Sequence, residues 1–145
     1  MADADSEFAA RLSRSMTAVM HVATWLVRRG HDVRMSGMQL DGPDQGDLFV
    51  GHPVEVKPIS KDFTGRTDWP FGDKFIVCSQ KSWDAKRIKP FAYVIVSDSL
   101  KYAGVVGGDL ADKWTIEQRI DNRTGLTDSY YLCPVDLVAF VRLEV

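Results

Sequence analysis

The sequence predicts a mixed α/β domain in which helices pack against a central β-sheet. Three observations predict it. From Ser6 to Arg29 apolar residues recur at three- and four-residue steps, the spacing of one helical face. Short aliphatic runs follow between turn residues, foremost Phe91 to Ser97 (FAYVIVS), which is apolar up to its last residue and so fits a strand covered on both faces. A closing apolar segment, Val135 to Val141, comes after Pro134, a residue suited to the first turn of a helix.

Each element can be placed in order. Ser6 is suited to cap the first helix, and Gly30 stops it after Arg28-Arg29. His31 to Leu40 suggests a strand broken by Gly37, and Asp41 to Gly46 is a turn cluster. Asp47 to Val50 and Val54 to Pro58 form two short strands around the loop Gly51-His52-Pro53. Ser60 to Gly72 is polar and turn-rich, the pattern of a long functional or mobile loop. Phe75 to Cys78 is a short buried strand, Lys81 to Ile88 a helical turn, and Tyr102 to Val106 a strand ending at Gly107-Gly108. Lys113 to Ile120 fits either a helix or a strand. Asp121 to Gly125 is a turn, and Ser129 to Cys133 an edge strand. There is no repeat, linker or low-complexity tract, and 145 residues suit one domain, residues 1–145.

Composition narrows the function. No stretch approaches the roughly 20 apolar residues of a membrane span. The acidic start, Met1 to Glu7, resembles neither a signal nor a transit peptide, so the expected compartment is the cytoplasm. Cys78 and Cys133 belong to no CxxC pair, which argues against a zinc knuckle or a disulfide framework. A net charge of −2 argues against coating nucleic acid by bulk electrostatics. The charge is uneven, however: Lys57 to Lys89 holds eight basic residues against four acids, +4, which leaves −6 elsewhere. A locally basic surface on an acidic body can hold a phosphate backbone.

Strand parity assigns chemistry to residues 47–57. Side chains alternate faces along a strand. With Gly51-His52-Pro53 as the loop, Val50 pairs with Val54, Phe49 with Glu55 and Asp47 with Lys57. Leu48, Val50, Val54 and Val56 then form one face, and Asp47, Phe49, Glu55 and Lys57 the other. A slip of one residue would send Asp47 among the aliphatics. Two carboxylates beside a lysine suit a hard divalent cation, which takes oxygen ligands and keeps several waters. The Val56 carbonyl is a further oxygen at the strand edge. A solvated hairpin face with a cross-strand ion pair is the alternative.

Gly46-Asp47, seven intervening residues and then Glu55-Val56-Lys57 resemble the motif of the PD-(D/E)xK nuclease superfamily, in particular its small phage-type endonucleases. In that motif an acid at a strand start is followed by E-x-K on the next strand, after an N-terminal helix. The resemblance implies a restriction-endonuclease-like αβββαβ core and a deoxyribonuclease that hydrolyses DNA phosphodiesters with Mg²⁺ or Mn²⁺. It implies Asp47 and Glu55 as metal ligands with the Val56 carbonyl, and Lys57 as the catalytic lysine. It also implies a host-cytoplasmic location if the chain is phage-encoded, and a homodimer if both strands are cut. The chain departs from the pattern in having Gly46 where the family has Pro. Pro43-Asp44 sits in the turn cluster instead. The family's first-helix carboxylate has only Glu7 as a counterpart, and Gln80 matches a glutamine some branches carry after the following strand.

Candidate substrate contacts are Lys61, Arg66, Lys81 and Lys86 for phosphates. Trp69, in the polar loop, is the foremost aromatic for stacking on unpaired bases, with Phe71, Trp83, Tyr93 and Trp114 behind it. No GxSxG, Walker A loop or EF-hand spacing is present. Two other functions remain open: a nucleic-acid-binding protein on a nuclease-like fold that does not cut, and a protein-interaction module, to which the acidic overall charge points.

Overall fold

The first helix, α1, runs Ala4–Arg28, so Ser6 lies inside it rather than at its cap. Ala18, Val19, Val22 and Ala23 are its buried stripe. It ends where Gly30 takes φ +85°, donating to Val27 O at 2.9 Å while His31 N–H reaches Leu26 O at 3.2 Å. The computed structural model describes residues 4–35 and 47–143. The expected turn cluster 41–46, with Pro43-Asp44, and most of the expected strand 31–40 lie outside those residues.

Among the described residues nine strands follow: β1 Arg34–Met35, β2 Leu48–Phe49, β3 Pro53–Pro58, β4 Lys74–Ser79, β5 Ala92–Val96, β6 Tyr102–Gly107, β7 Thr115–Ile120, β8 Thr127–Pro134 and β9 Ala139–Arg142. A short helix, α2 (Gln80–Ala85), follows β4, capped by the Ser79 side chain on Ser82 N–H. The expected single sheet is two sheets. One has the order β1-β2-β3-β5-β6-β9, the other β4-β8-β7. β3 and β5 run parallel and every other pairing is antiparallel. The domain is therefore α/β with mixed sheets.

β5 sits at the centre because its side chains serve two cores. Val94 and Val96 meet α1 together with Leu48, Val54, Val56 and Ala103. Tyr93 and Ile95 meet the second sheet, with Phe75, Val77, Trp83, Trp114 and Cys133. The larger sheet is thus sandwiched between α1 and the smaller sheet. The sheets press close together at Gly104, where a Cβ would lie 2.7 Å from Phe75 Cε2.

Two expectations are corrected. Ser129 to Cys133 belongs to β8, which is the central strand of its sheet and not an edge. Val135 to Val141 is not a helix: a 3-10 turn at Val135–Leu137 leads into β9. Val135 N–H donates to Asp73 O and β9 pairs with β6, so sheet pairing sets the structure of this segment. Ser60 to Gly72 is irregular but organised. Asp68 accepts from the N–H groups of Thr64 and Gly65 at 2.9 Å, which holds its carboxyl below the usual carboxylate range. Phe63 and Trp69 from this loop enter the core. Among the described residues no helix is long and apolar enough to cross a membrane.

Candidate functional site

The β2–β3 hairpin keeps the expected parity in a register shifted by two. Leu48 faces Val54 and Phe49 faces Pro53, so the loop is Val50-Gly51-His52 and Pro53 opens β3. Gly51 supplies φ +72° there. Leu48, Val54 and Val56 are buried against α1. Asp47 lies just before β2, and continuing this register by one residue directs it toward Glu55 instead of Lys57.

Asp47 stays out of the aliphatic face. Its N–H bonds Val54 O at 2.9 Å, and its Oδ2 accepts from Val56 N–H at 2.6 Å. The carboxylate therefore closes the β3 edge where β2 stops, beside the peptide that joins Glu55 to Val56. Strand alternation aims the Val56 carbonyl toward the same edge. Glu55 and Lys57 project from the face of β3 opposite to Val54 and Val56.

Glu55 has a partner the sequence did not reveal. Lys86 Nζ, from the residue that follows α2, donates to Glu55 Oε1 at 2.8 Å. Lys86 is buried, so it is no surface phosphate contact as the sequence suggested. Cys78 and Tyr93 adjoin this pair, and burial pushes both the thiol and the phenol up. Tyr93 Oη is buried without a well-formed hydrogen bond among the described residues. A protonated, enclosed thiol is a poor nucleophile.

Lys57 retains solvent-accessible surface, yet the walls around it strip part of its hydration. Burial holds its ammonium below the usual lysine value, Cys78 opposes that shift and Arg123 adds to it. Lys57 lines a cavity of about 580 Å³ with Arg11, Arg14 and Ser15 of α1, Lys61, Phe71 and Arg123 of the β7–β8 turn. Five cations and no acid line it. Arg14 is tied to Ile59 O and Asp98, and Arg123 to Asp121.

The other predicted residues divide. Lys61 is in the cleft. Arg66 instead pairs with Asp136, and Lys81 lies 3.5 Å from Asp128. Gln80 opens α2, with its side chain toward the Tyr131 hydroxyl. Trp69 cannot stack on a base: it is buried against Phe63, Phe75 and Phe140, and its Nε1–H donates to Lys74 O at 2.9 Å. Trp83, Tyr93 and Trp114 are buried too, whereas Phe71 is exposed at the cleft. Glu7 is exposed near the start of α1. Arg11, Arg14 and Arg123 were not read as site residues. The i,i+3 spacing of the two arginines, off the apolar stripe of α1, is the signal that would have found two of them.

Among the described residues no group of three His, Cys, Asp or Glu side chains gathers as a metal cluster. Two carboxylates and a carbonyl are nonetheless a donor set that suits Mg²⁺, which commonly takes one or two carboxylates and completes its shell with water and phosphate. No protein-family model, curated protein or solved structure matches the chain.

Proposed function

We propose that this chain is a metal-dependent endonuclease of the PD-(D/E)xK kind that hydrolyses DNA phosphodiester bonds. One observation carries the reading. Asp47 is bonded to the β3 edge at Val56, between Glu55 and Lys57 in sequence, and Lys57 opens into a cleft walled by Arg11, Arg14, Lys61 and Arg123. The order α1, three antiparallel strands, α2 and a strand parallel to the third supports it, because that is the αβββαβ succession; β4 is an added strand of the second sheet.

In this reading Asp47, Glu55 and the Val56 carbonyl would hold Mg²⁺ or Mn²⁺. Such an ion supplies Lewis-acid polarisation of the phosphate and a bound water of lowered pKa. Lys57, its hydration already reduced, donates hydrogen bonds to the attacking water or the scissile phosphate. The cleft cations hold the phosphates on either side, and Phe71 offers a ring to an unstacked base.

Incubating the protein with single-stranded, duplex and branched DNA and Mg²⁺ or Mn²⁺ tests this directly. Asp47→Ala and Lys57→Ala should abolish cleavage with the fold intact, and Asp47→Asn should weaken Mn²⁺ binding measured by calorimetry. Intact DNA under every condition would remove the catalytic reading. The ion pair between Glu55 and buried Lys86 favours a second reading, a nucleic-acid-binding protein on the same fold that does not cut. Salt-dependent DNA binding without cleavage is its signature.

A further inference from the structure

The outer edge of β7 is built to meet a copy of itself. β7 is the last strand of the smaller sheet, beyond β8, and most of its residues are exposed. Asp121 N–H bonds Leu126 O at 2.8 Å across the hairpin. Strand alternation then aims the backbone groups of Thr115, Glu117 and Arg119 at β8 and those of Ile116, Gln118 and Ile120 outward. This edge lacks the usual protections: it is six residues long, contains no Pro and no Lys, and leaves Ile116 54% and Ile120 66% exposed.

We propose that two copies of the chain pair β7 to β7, antiparallel, about a twofold axis through Gln118. An axis through Gln118 pairs outward-facing residues with one another and sets opposite charges together, whereas an axis through Glu117 or Arg119 would set each of these residues against its own copy. Ile116 meets the partner copy's Ile120, and Glu117 meets its Arg119, each twice by symmetry. The sequence Ile-Glu-Gln-Arg-Ile is thus self-complementary in charge and apolar pattern when read against itself in reverse. Within one chain Arg119 Nε and Glu117 Oε1 lie 3.3 Å apart, an ion pair that the dimer would exchange for the two across the axis. The dimer would join two three-stranded sheets into one of six strands. It does not depend on the nuclease reading.

Sedimentation equilibrium of the full chain over a concentration series tests the pairing. A monomer–dimer equilibrium is expected. Glu117→Arg and Arg119→Glu, made singly, place like charges across the axis and should each weaken it about tenfold or more. The two substitutions combined restore opposite charges and should recover the wild-type affinity. Gln118→Pro removes an outward N–H without touching the β8 ladder, and should yield a monomer with an unchanged circular dichroism spectrum. A wild-type chain that stays monomeric throughout, or a dimer unaffected by the single reversals, or a combined variant no better than either single one would each overturn it.

Discussion

Lys86 Nζ lies 2.8 Å from Glu55 Oε1, and the lysine side chain is the more enclosed of the two, 8% exposed against 24%. The pair joins the end of α2 to the middle of β3 and fixes the carboxylate expected to do the chemistry. An ion pair shielded to this degree is coupled more strongly than one at the surface.

A double-mutant cycle with Glu55→Gln and Lys86→Met should therefore give a coupling of about 1–3 kcal/mol in denaturant unfolding. A coupling below about 0.5 kcal/mol would class the pair with ordinary surface bridges.

Lys57 leads to a pH prediction. Lost hydration holds its pKa below 10.5, with Arg123 adding to the shift. The folded chain releases this proton before the unfolded chain does. Between the two pKa values the unfolded state binds more protons, so stability attributable to Lys57 rises with pH up to 10.5. Lys57→Met should flatten that rise in unfolding midpoints taken across alkaline pH. Arg123→Ala should move the Lys57 titration, followed by NMR, upward. A Lys57 that titrates at its ordinary value contradicts the crowding described for the cleft.

The cleft cations can be told from the other basic residues by salt. Arg11→Ala, Lys61→Ala and Arg123→Ala should each lower the slope of log affinity for DNA against log salt by about 1. Arg66→Ala should leave the slope unchanged, because Arg66 is paired with Asp136 away from the cleft. Fluorescence anisotropy at several salt concentrations measures this, and equal effects from all four would place the binding face elsewhere.

Trp69 should behave as a core residue. Trp69→Ala removes a ring stacked on Phe75 at 4.8 Å and should cost about 3–5 kcal/mol of stability. Trp69→Phe should cost less and leave DNA affinity unaltered. A fold that tolerates the alanine, with DNA binding lost, would return Trp69 to the role first expected of it.

What was legible in the sequence and what was not follow from the range of the signals. Parity is local, so the separation of Leu48, Val54 and Val56 from Glu55 and Lys57 could be read, and the two-residue shift in register preserved it. The aliphatic run at β5 was readable because every residue of it is buried. Pairing partners are not local. Nothing in Phe75 to Cys78 or Ser129 to Cys133 says that these strands form a second sheet. Nothing near Lys86 points to Glu55, 31 residues earlier. Trp69 misled because its neighbours are polar, and only the fold reveals that its ring turns inward while Phe71 stays at the surface. The last apolar segment lacked a clear period, and β6 supplied the pairing that made it a strand.

The interleaving of the two sheets bears on how the chain comes apart. Following the strands in order, the backbone passes from the larger sheet to the smaller at β4, returns at β5, leaves again at β7 and comes back at β9. No cut in the chain releases either layer whole. The α1-facing and aromatic cores also meet back to back on β5, so loosening one exposes the other. Heat or denaturant should therefore melt α1, both sheets and the cleft in one transition. Truncation before β9 would remove an edge from the larger sheet, not trim an appendage.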